Sequence, residues 1–560
     1  MVSKLPFKIE NDILIGEEDL IDDSCINTGE LILNAFKSRP DFIGQVDAMT
    51  GEENTFQQMR ERSVKCALWL KKLGVQHNDI IIVYTSNHLD TYIPFLATLY
   101  IGVVLYICNI NKPINLLCHL QAHPKVIFAD VDKASSILKL TKAMNISTTI
   151  VVFIRENKES EHKMEEKFQS LKFILNSNFN KTEINEFSCT KLKSSKDTAV
   201  ILLSSGSTNV IRQHVTIPHA FFTAPSNQQI PAMESNDVGL WIESLHWNIS
   251  LLLTVRAIFS YVKAIKINIF LNPKDNLISD SDVKYLCSAI QKYKVNWVFL
   301  KNDMSRGFIN FKIFEKYDVS SLKQIIIGGR QLCTEVYLRF TFALPNTSFS
   351  KVYCLPEVGV ITYQPKTRKF GDSGHVSKNV SLLIADPITN SPLKVQKIGV
   401  ICCKSPSLTN GYLTSMRGTL ESVTDDKGWF HTDDMGFYDS DGNIHILERR
   451  RNVITYQNHT ILPISIEHIL KMHPKVKDAC VIPIYDRIDG HHPFAVVAQK
   501  EDSEITKEEL IKFVASKVFK LRAECVMIED FPYLPNGYPN RRAISILAKA
   551  YKKFQILYLS

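Results

Sequence analysis

At 560 residues, 45% of them hydrophobic, the chain is longer than one ordinary domain and has the apolar content for a large core. That excludes a disordered or fibrous protein and leads us to expect two or more domains. The 66 basic and 58 acidic residues leave a net charge of +8 with no long charge run except Glu448–Arg451, which suits anionic substrates and equally an ordinary mildly basic protein. The twelve cysteines form no CxxC pair and no metal-ligand spacing, so reduced, buried thiols in an intracellular protein are expected.

The first twenty residues lack an apolar stretch of the secretory kind, so no signal peptide is expected. Thr55 is placed to cap a helix carrying Met59, Val64, Ala67 and Leu68 at helical spacing, and Asp79–Tyr84 reads as a strand of β-branched residues. The run from Tyr92 to Cys108 is almost wholly apolar, but Pro94 and Gly102 interrupt it and it falls short of the roughly 18–20 residues of a membrane span. It is expected to be a buried helix turning at Gly102 into a buried strand. Lys125–Phe128 and Thr149–Phe153 read as strands and Ser135–Met144 as a helix. This alternation predicts an α/β fold, a mostly parallel sheet with helices on both faces. The charged, poorly patterned stretch from Arg155 to Ser195 reads as a surface excursion.

A strand then enters the loop Ser204-Ser205-Gly206-Ser207-Thr208, followed by Asn209, Ile211 and Arg212. Backbone N–H groups and hydroxyls in such a loop can all face one concavity and hold phosphate, although a plain turn has the same composition. His246 and Trp247 precede a long apolar run, where a Trp is more often core than gate. The strand Ile325–Ile327 ends at Gly328-Gly329-Arg330, and Tyr353-Cys354-Leu355-Pro356-Glu357 follows. From Gly428 to Pro463, Asp433 and Asp434 close a loop, Gly442 turns a hairpin, and Ile444, Ile446 and Leu447 make a strand running into Glu448-Arg449. A charged tripeptide after a strand, before a second apolar run, reads as a hinge between a large first domain and a small last one. In the last domain Ser465–Met472 reads as a helix, Ala479–Pro483 and Phe494–Ala498 as strands, and Thr506 with Glu509 as a capping box opening a helix with Ile511, Val514, Ala515 and Val518 inward.

Taken together, SSGST, GG, the YCLPE segment and GWFHTDD with its following hinge resemble, in order and over nearly the whole chain, the motifs of the adenylate-forming superfamily that includes acyl-CoA synthetases and beetle luciferases. The resemblance implies a large AMP-binding domain of parallel-type sheets covered by helices (1–448), a hinge (449–453) and a small α+β C-terminal lid domain (454–560). It implies ATP, Mg²⁺ and CoA as cofactors and a small-molecule carboxylic acid as partner, with no nucleic acid and no transmembrane segment. Asp434 and Arg449 are then contacts of the ribose and nucleotide, a carboxylate having lone pairs for both ribose hydroxyls. Gly328, Gly329 and Tyr353 enclose adenine, Ser204 to Thr208 with Arg212 take the phosphates, Glu357 holds the metal, and His246, Trp247 and Arg330 line the acyl pocket.

The chain also departs from the pattern it resembles. Asn209 and Ile211 stand for a Gly and a Pro, Arg212 or Gln213 for a Lys, Cys354 and Pro356 for a Gly and a Thr, and Arg330 for a small residue. Thr455 and Asn458 replace a Lys and a Gly used after the hinge. Tyr538 stands where the superfamily has a catalytic Lys, and either Arg212 or Arg541 is the substitute cation to consider. A neutral phenol supplies no charge to the developing oxyanion, a loss of roughly 10²–10³ in rate. Three readings follow: an acyl-CoA synthetase acting on a fatty or other hydrophobic acid, a pseudoenzyme that binds nucleotide or acyl ligand as a sensor or regulator, and, third, a light-emitting oxygenase. The terminal Tyr558-Leu559-Ser560 lacks the basic and final Leu residues of a Ser-Lys-Leu address, so cytoplasm is expected first and peroxisome second.

Overall fold

The computed structural model describes every residue except 1–5, 21–26, 78, 109–122, 154–167, 205–213, 268, 270–278, 303–310, 330–333, 365–370, 415–419, 457–458, 487–489, 501–502, 517–523, 530, 533–538 and 560. Its contacts divide the chain into two compact units. One comprises Met1–Phe270, Asp280–Leu383 and Cys402–His431; the other comprises Leu271–Ser279, Ile384–Ile401 and Thr432–Ser560.

In the larger unit, two sheets of nine described strands each carry the fold. In the first, Ile80–Tyr84 lies between Val104–Ile107 and Val126–Asp130, both parallel to it, with Thr149–Phe153 and Gln169–Ser170 continuing on one side. On the other side Thr198–Leu203 runs parallel to Val104–Ile107 and antiparallel to His214–Pro218. In the second sheet Ser348–Leu355, Gln324–Gly328, Trp297–Lys301, Val238–Trp241, Lys263–Lys266 and Ile43–Asp47 run parallel in that spatial order. Parallel strands covered on both faces have near-continuous apolar runs, and Val126–Asp130 and Gln324–Gly328 are buried along their whole length.

The helix Phe56–Lys72 begins at Thr55 with a full capping box: Thr55 Oγ1 accepts from Gln58 N and Gln58 Oε1 accepts from Thr55 N at 2.8 Å. Met59, Val64, Ala67 and Leu70 face the core. The apolar run after Tyr92 is the all-buried helix Tyr92–Ile101, ended by Gly102 at φ 67°, then the strand Val104–Ile107. No helix among the described residues is long and apolar enough to cross a membrane.

The segment read as a surface excursion is a correction. Its described part contains the short helices Leu171–Asn176 and Lys181–Asn185, whose Leu171, Ile174, Leu175 and Ile184 are buried in the main core. Helices of only six and five residues give too short a period to stand out from the surrounding charge.

In the smaller unit the long antiparallel pair Val476–Asp486 and Gly490–Gln499 is extended by Ile454–Tyr456, His459–Ile461 and the parallel strand Glu524–Met527. Helices Pro463–Lys471, Lys507–Ala515 and Arg541–Leu559 accompany it. Thr506 does cap its helix, accepting from Glu509 N at 3.1 Å. Leu510 and Val514 are buried there, whereas Ala515, expected inward, is exposed, and Val518 lies outside the described residues. The cysteines match the expectation: nine described ones are free, and all but Cys354 are buried.

Candidate active site

The second sheet of the larger unit positions several predicted site residues at the carboxyl ends of its parallel strands, where open α/β sheets bind ligands. Gln324–Gly328 delivers Gly328 and Gly329. A side chain at Gly328 would crowd the rings of Phe299 at 3.1 Å and Trp247 at 3.3 Å, and Gly329 has φ 97°, a left-handed conformation suited to glycine. Trp247 meets Phe299 edge to face at 5.4 Å. Trp247 and Gly328, both named by the same resemblance, thus stand side by side, and Trp247 is also part of the core edge with Cys354. Burial pushes the Cys354 thiol up to about 12, against a smaller lowering by a hydrogen bond with Asn248.

His246 lies in the turn between the strand Val238–Trp241 and the helix Asn248–Phe259. Its Nδ1 is 2.5 Å from Ser244 Oγ and its Nε2 is 3.6 Å from Glu243 Oε2. Burial lowers its pKa, outweighing Glu243, which raises it, and Lys301 lowers it further. The imidazole is therefore neutral at neutral pH. Glu243 and Lys301, 3.8 Å apart, escaped the sequence reading; only the structure brings the ends of their two strands together.

Glu357 lies in the tight connection between Ser348–Leu355 and Gly359–Tyr363. Gly359, at φ 85°, lets the chain pass Asn227, whose Oδ1 would be 2.4 Å from any Cβ there and which instead accepts from Val360 N at 2.7 Å. Ser407 Oγ donates to Val358 O, and Thr409 N donates to Glu357 O at 2.7 Å. The carboxylate is 3% exposed and its Oε1 accepts from the Tyr412 hydroxyl at 3.2 Å. One buried carboxylate, completed by phosphate and water oxygens, is a donor set that suits Mg²⁺. Tyr412 was missed because nothing near Asn410-Gly411 marks it in the sequence. Tyr353, 6% exposed, lies one residue beyond the Gly328–Val352 pairing. Ser204 is buried at the end of Thr198–Leu203. Ser205, Gly206, Ser207, Thr208, Arg212, Arg330 and Tyr538 lie outside the described residues.

In the smaller unit, Asp433 and Asp434 do not close a loop as expected. They belong to the strand Phe430–Tyr438, with Asp433 at φ 62° and a bulge between Met435 and Gly436. The local kink that reads as a loop is absorbed inside the ladder. Burial raises the pKa of Asp433, opposed by Arg449, Arg450 and Arg451. Asp434 is directly opposite Arg449 in the hairpin, and Arg449 Nε is 2.9 Å from Asp434 Oδ1. Asp434 is 4% exposed, and its backbone N–H donates to Thr432 Oγ1 at 3.2 Å. The two residues predicted to share a nucleotide are therefore paired with each other.

Arg541 occupies a different setting. Its Nη1 donates to Val481 O at 2.6 Å, and its Nη2 is 2.5 Å from Glu467 Oε1 and 3.5 Å from Glu448 Oε2. Glu467 in turn accepts from Val481 N at 2.8 Å. Burial lowers the Arg541 pKa, but the neighbouring Glu467, Cys480 and Glu448 outweigh it and the net shift is upward. A forked cation held by two carboxylates and a carbonyl is a fixed internal staple.

The AMP-binding enzyme model matches residues 34–413, and the model for the AMP-binding enzyme C-terminal domain matches residues 465–537. Over 551 residues the chain is 24% identical to 4-coumarate:CoA ligase 1 of Petunia hybrida, covering 96% of this chain and 94% of that protein. It is 25% identical to peroxisomal OPC-8:0-CoA ligase 1 of Arabidopsis thaliana, covering 91% of each. Its fold is similar to that of ATP-bound MatB from Rhodopseudomonas palustris, with 18% identity, a TM-score of 0.77 and coverage of 94% of this chain and 99% of that one. It is also similar to the luciferase-like enzyme of the nonluminescent Zophobas morio mealworm, at 22% identity, a TM-score of 0.67 and coverage of 78% and 98%.

Proposed function

Because the chain belongs to the family of AMP-binding enzymes, we propose that it is an ATP-dependent ligase that activates a fatty or other hydrophobic carboxylic acid as acyl-AMP and passes the acyl group to CoA. The observation that carries this reading is Glu357, buried yet oriented by Tyr412 and held in a tight turn by Thr409, Ser407 and Asn227. A carboxylate fixed in this way, in the turn after a strand, offers oxygens of the kind that hold a divalent cation. In the reaction, an oxygen of the substrate carboxylate attacks the α-phosphorus of ATP and pyrophosphate leaves; the CoA thiol then attacks the acyl carbonyl and AMP leaves. Mg²⁺ bound at Glu357 would neutralise charge on the departing pyrophosphate. Asp434 accepts from the ribose hydroxyls, with Arg449 paired to the carboxylate beside the nucleotide. Ser204 and the loop to Thr208, with Arg212, take the phosphates, and Gly328, Gly329 and Tyr353 border the adenine. His246, Trp247 and Arg330 line the acyl side, and the hinge falls at 449–453. Cytoplasm is the first compartment to examine and peroxisome the second.

A second reading, a binding protein that has lost turnover, is favoured by one observation: Arg541, a candidate to replace the missing Lys, is engaged by Glu467, Glu448 and Val481. Acyl-hydroxamate release with ATP, Mg²⁺ and a panel of aliphatic and aromatic acids separates the two. Product that depends on ATP supports the ligase; its absence across the panel, with nucleotide still binding, supports the second reading.

A further inference from the structure

We propose that the segment from Ser407 to Tyr412 is a bracket that fixes Glu357 relative to the strand His214–Pro218, with Tyr412 as its positioning residue, so that binding of Mg²⁺ and of the triphosphate is coupled. The inference rests on the ligase reading of the same site. The segment reaches in two directions. Toward Glu357, Ser407 Oγ donates to Val358 O, Thr409 N donates to Glu357 O at 2.7 Å, and the Tyr412 hydroxyl donates to Glu357 Oε1 at 3.2 Å. One short stretch thus holds both the backbone and the carboxylate of Glu357. Toward the strand, Thr409 Oγ1 donates to Thr216 O and accepts from Gly411 N at 3.1 Å, while Thr216 Oγ1 donates to Gly411 O at 2.9 Å. Tyr412 and Leu413 then pair with Val215 and His214 in an antiparallel ladder. His214 is itself opposite Leu203, so the two strands that flank residues 204–213 in sequence are anchored to the same bracket as Glu357.

Thr216 and Thr409 are buried, where a hydrogen bond left unmade is costly, so the ring of bonds between them resists sliding of one strand past the other. That rigidity matters for the chemistry of the metal. Mg²⁺ takes near-octahedral oxygen ligands, gives up its waters reluctantly, and is held by one or two carboxylates together with substrate phosphates. A carboxylate that wanders relative to the phosphates is a poor member of such a set. Groups that hydrogen-bond a ligating carboxylate are worth about 10–100-fold in metal affinity. Tyr412 has that place: its phenol fixes the direction of Glu357 Oε1, and its backbone is laced to the strand that follows the proposed phosphate loop.

The test is calorimetric binding of α,β-methylene ATP to the full chain, with Mg²⁺ or with EDTA in its place. The natural protein should bind the nucleotide more tightly with Mg²⁺. Tyr412→Phe should cut that tightening about tenfold or more and leave binding in EDTA within about twofold. Thr216→Val, which removes the far hydroxyl of the bracket, should act in the same direction and more weakly, and Thr216→Ser should restore the natural value. In a Glu357→Gln background Tyr412→Phe should change nothing further, because the two substitutions act on one interaction. A Tyr412→Phe protein that keeps the full Mg²⁺ effect, weakens binding equally with and without the metal, or loses as much again in the Glu357→Gln background overturns the proposal. A Mg²⁺ effect that Glu357→Gln abolishes and Tyr412→Phe spares removes this inference and leaves the ligase reading standing. No nucleotide binding under either condition, together with no hydroxamate, removes both.

Discussion

Glu357 in the larger unit and Glu467 in the smaller are both buried carboxylates, 3% and 8% exposed, and their neighbours differ in kind. Tyr412, a neutral donor, holds one oxygen of Glu357 at the end of a strand. Glu467 is bound into a closed ring with Arg541 and both polar groups of Val481. The second arrangement uses a protein cation to join a helix to a sheet; the first orients an acidic oxygen, which under the proposed reading would hold the metal. The contrast teaches that a buried charge can serve to join elements of a fold as readily as to meet a ligand. Arg541, three residues from Tyr538 in sequence, is engaged by Glu467, Glu448 and Val481.

The comparison can be broken most forcefully at Glu467. Glu467→Ala strands a largely buried guanidinium and should lower unfolding stability by about 3–5 kcal/mol, read from urea transitions of the C-terminal signals. A loss under about 1 kcal/mol would mean that the ring contributes little. At Glu357 the expectation is the reverse: Glu357→Gln should leave the urea midpoint near that of the natural protein and lower ATP-dependent hydroxamate formation about a hundredfold. Unchanged turnover would remove Glu357 from the site.

A third buried charge sharpens the contrast because it has neither role. Lys266, 3% exposed with its Nζ 4.7 Å from the Trp241 ring, is pulled by burial from 10.5 down to about 7. The unfolded chain keeps this proton between pH 7 and about 10 while the folded chain has released it, so its contribution makes stability rise with pH across that window. Lys266→Met should stabilise the protein at pH 7 by roughly 1–3 kcal/mol, well within the limit set by about 1.4 kcal/mol per pKa unit, and should flatten that rise. Melting curves at pH 7 and pH 9.5 that shift equally for both proteins would refute it. Smallest is the cap of Phe56–Lys72: Thr55→Ala should cost about 1 kcal/mol in the same assay.

Much of the fold was readable because its signals are local. The Thr55 cap, the break at Gly102 and the β-branched runs each act through neighbours in sequence, and each appears where it was expected. The contact of Trp247 with Gly328 and the pairing of Asp434 with Arg449 were anticipated only as shared membership of a site, through the order of motifs. Glu243, Lys301 and Tyr412 were not anticipated, since their meaning depends on which strand ends lie side by side. The occupation of Arg541 was equally hidden: Glu467 is 74 residues away, and no periodicity announces an ion pair across such a distance. Asp433 and Asp434 misled because a bulge within a strand and a loop share the same residue types.

The most direct measurement is acyl-hydroxamate formation by the natural protein beside Tyr538→Lys, with ATP, Mg²⁺ and the same panel of acids. The account predicts ATP-dependent product from the natural protein and, with a cation restored at position 538, about a hundredfold more. No product from the natural protein on any acid, even under conditions where Tyr538→Lys is active, would contradict it and identify a nucleotide-binding fold that has given up catalysis.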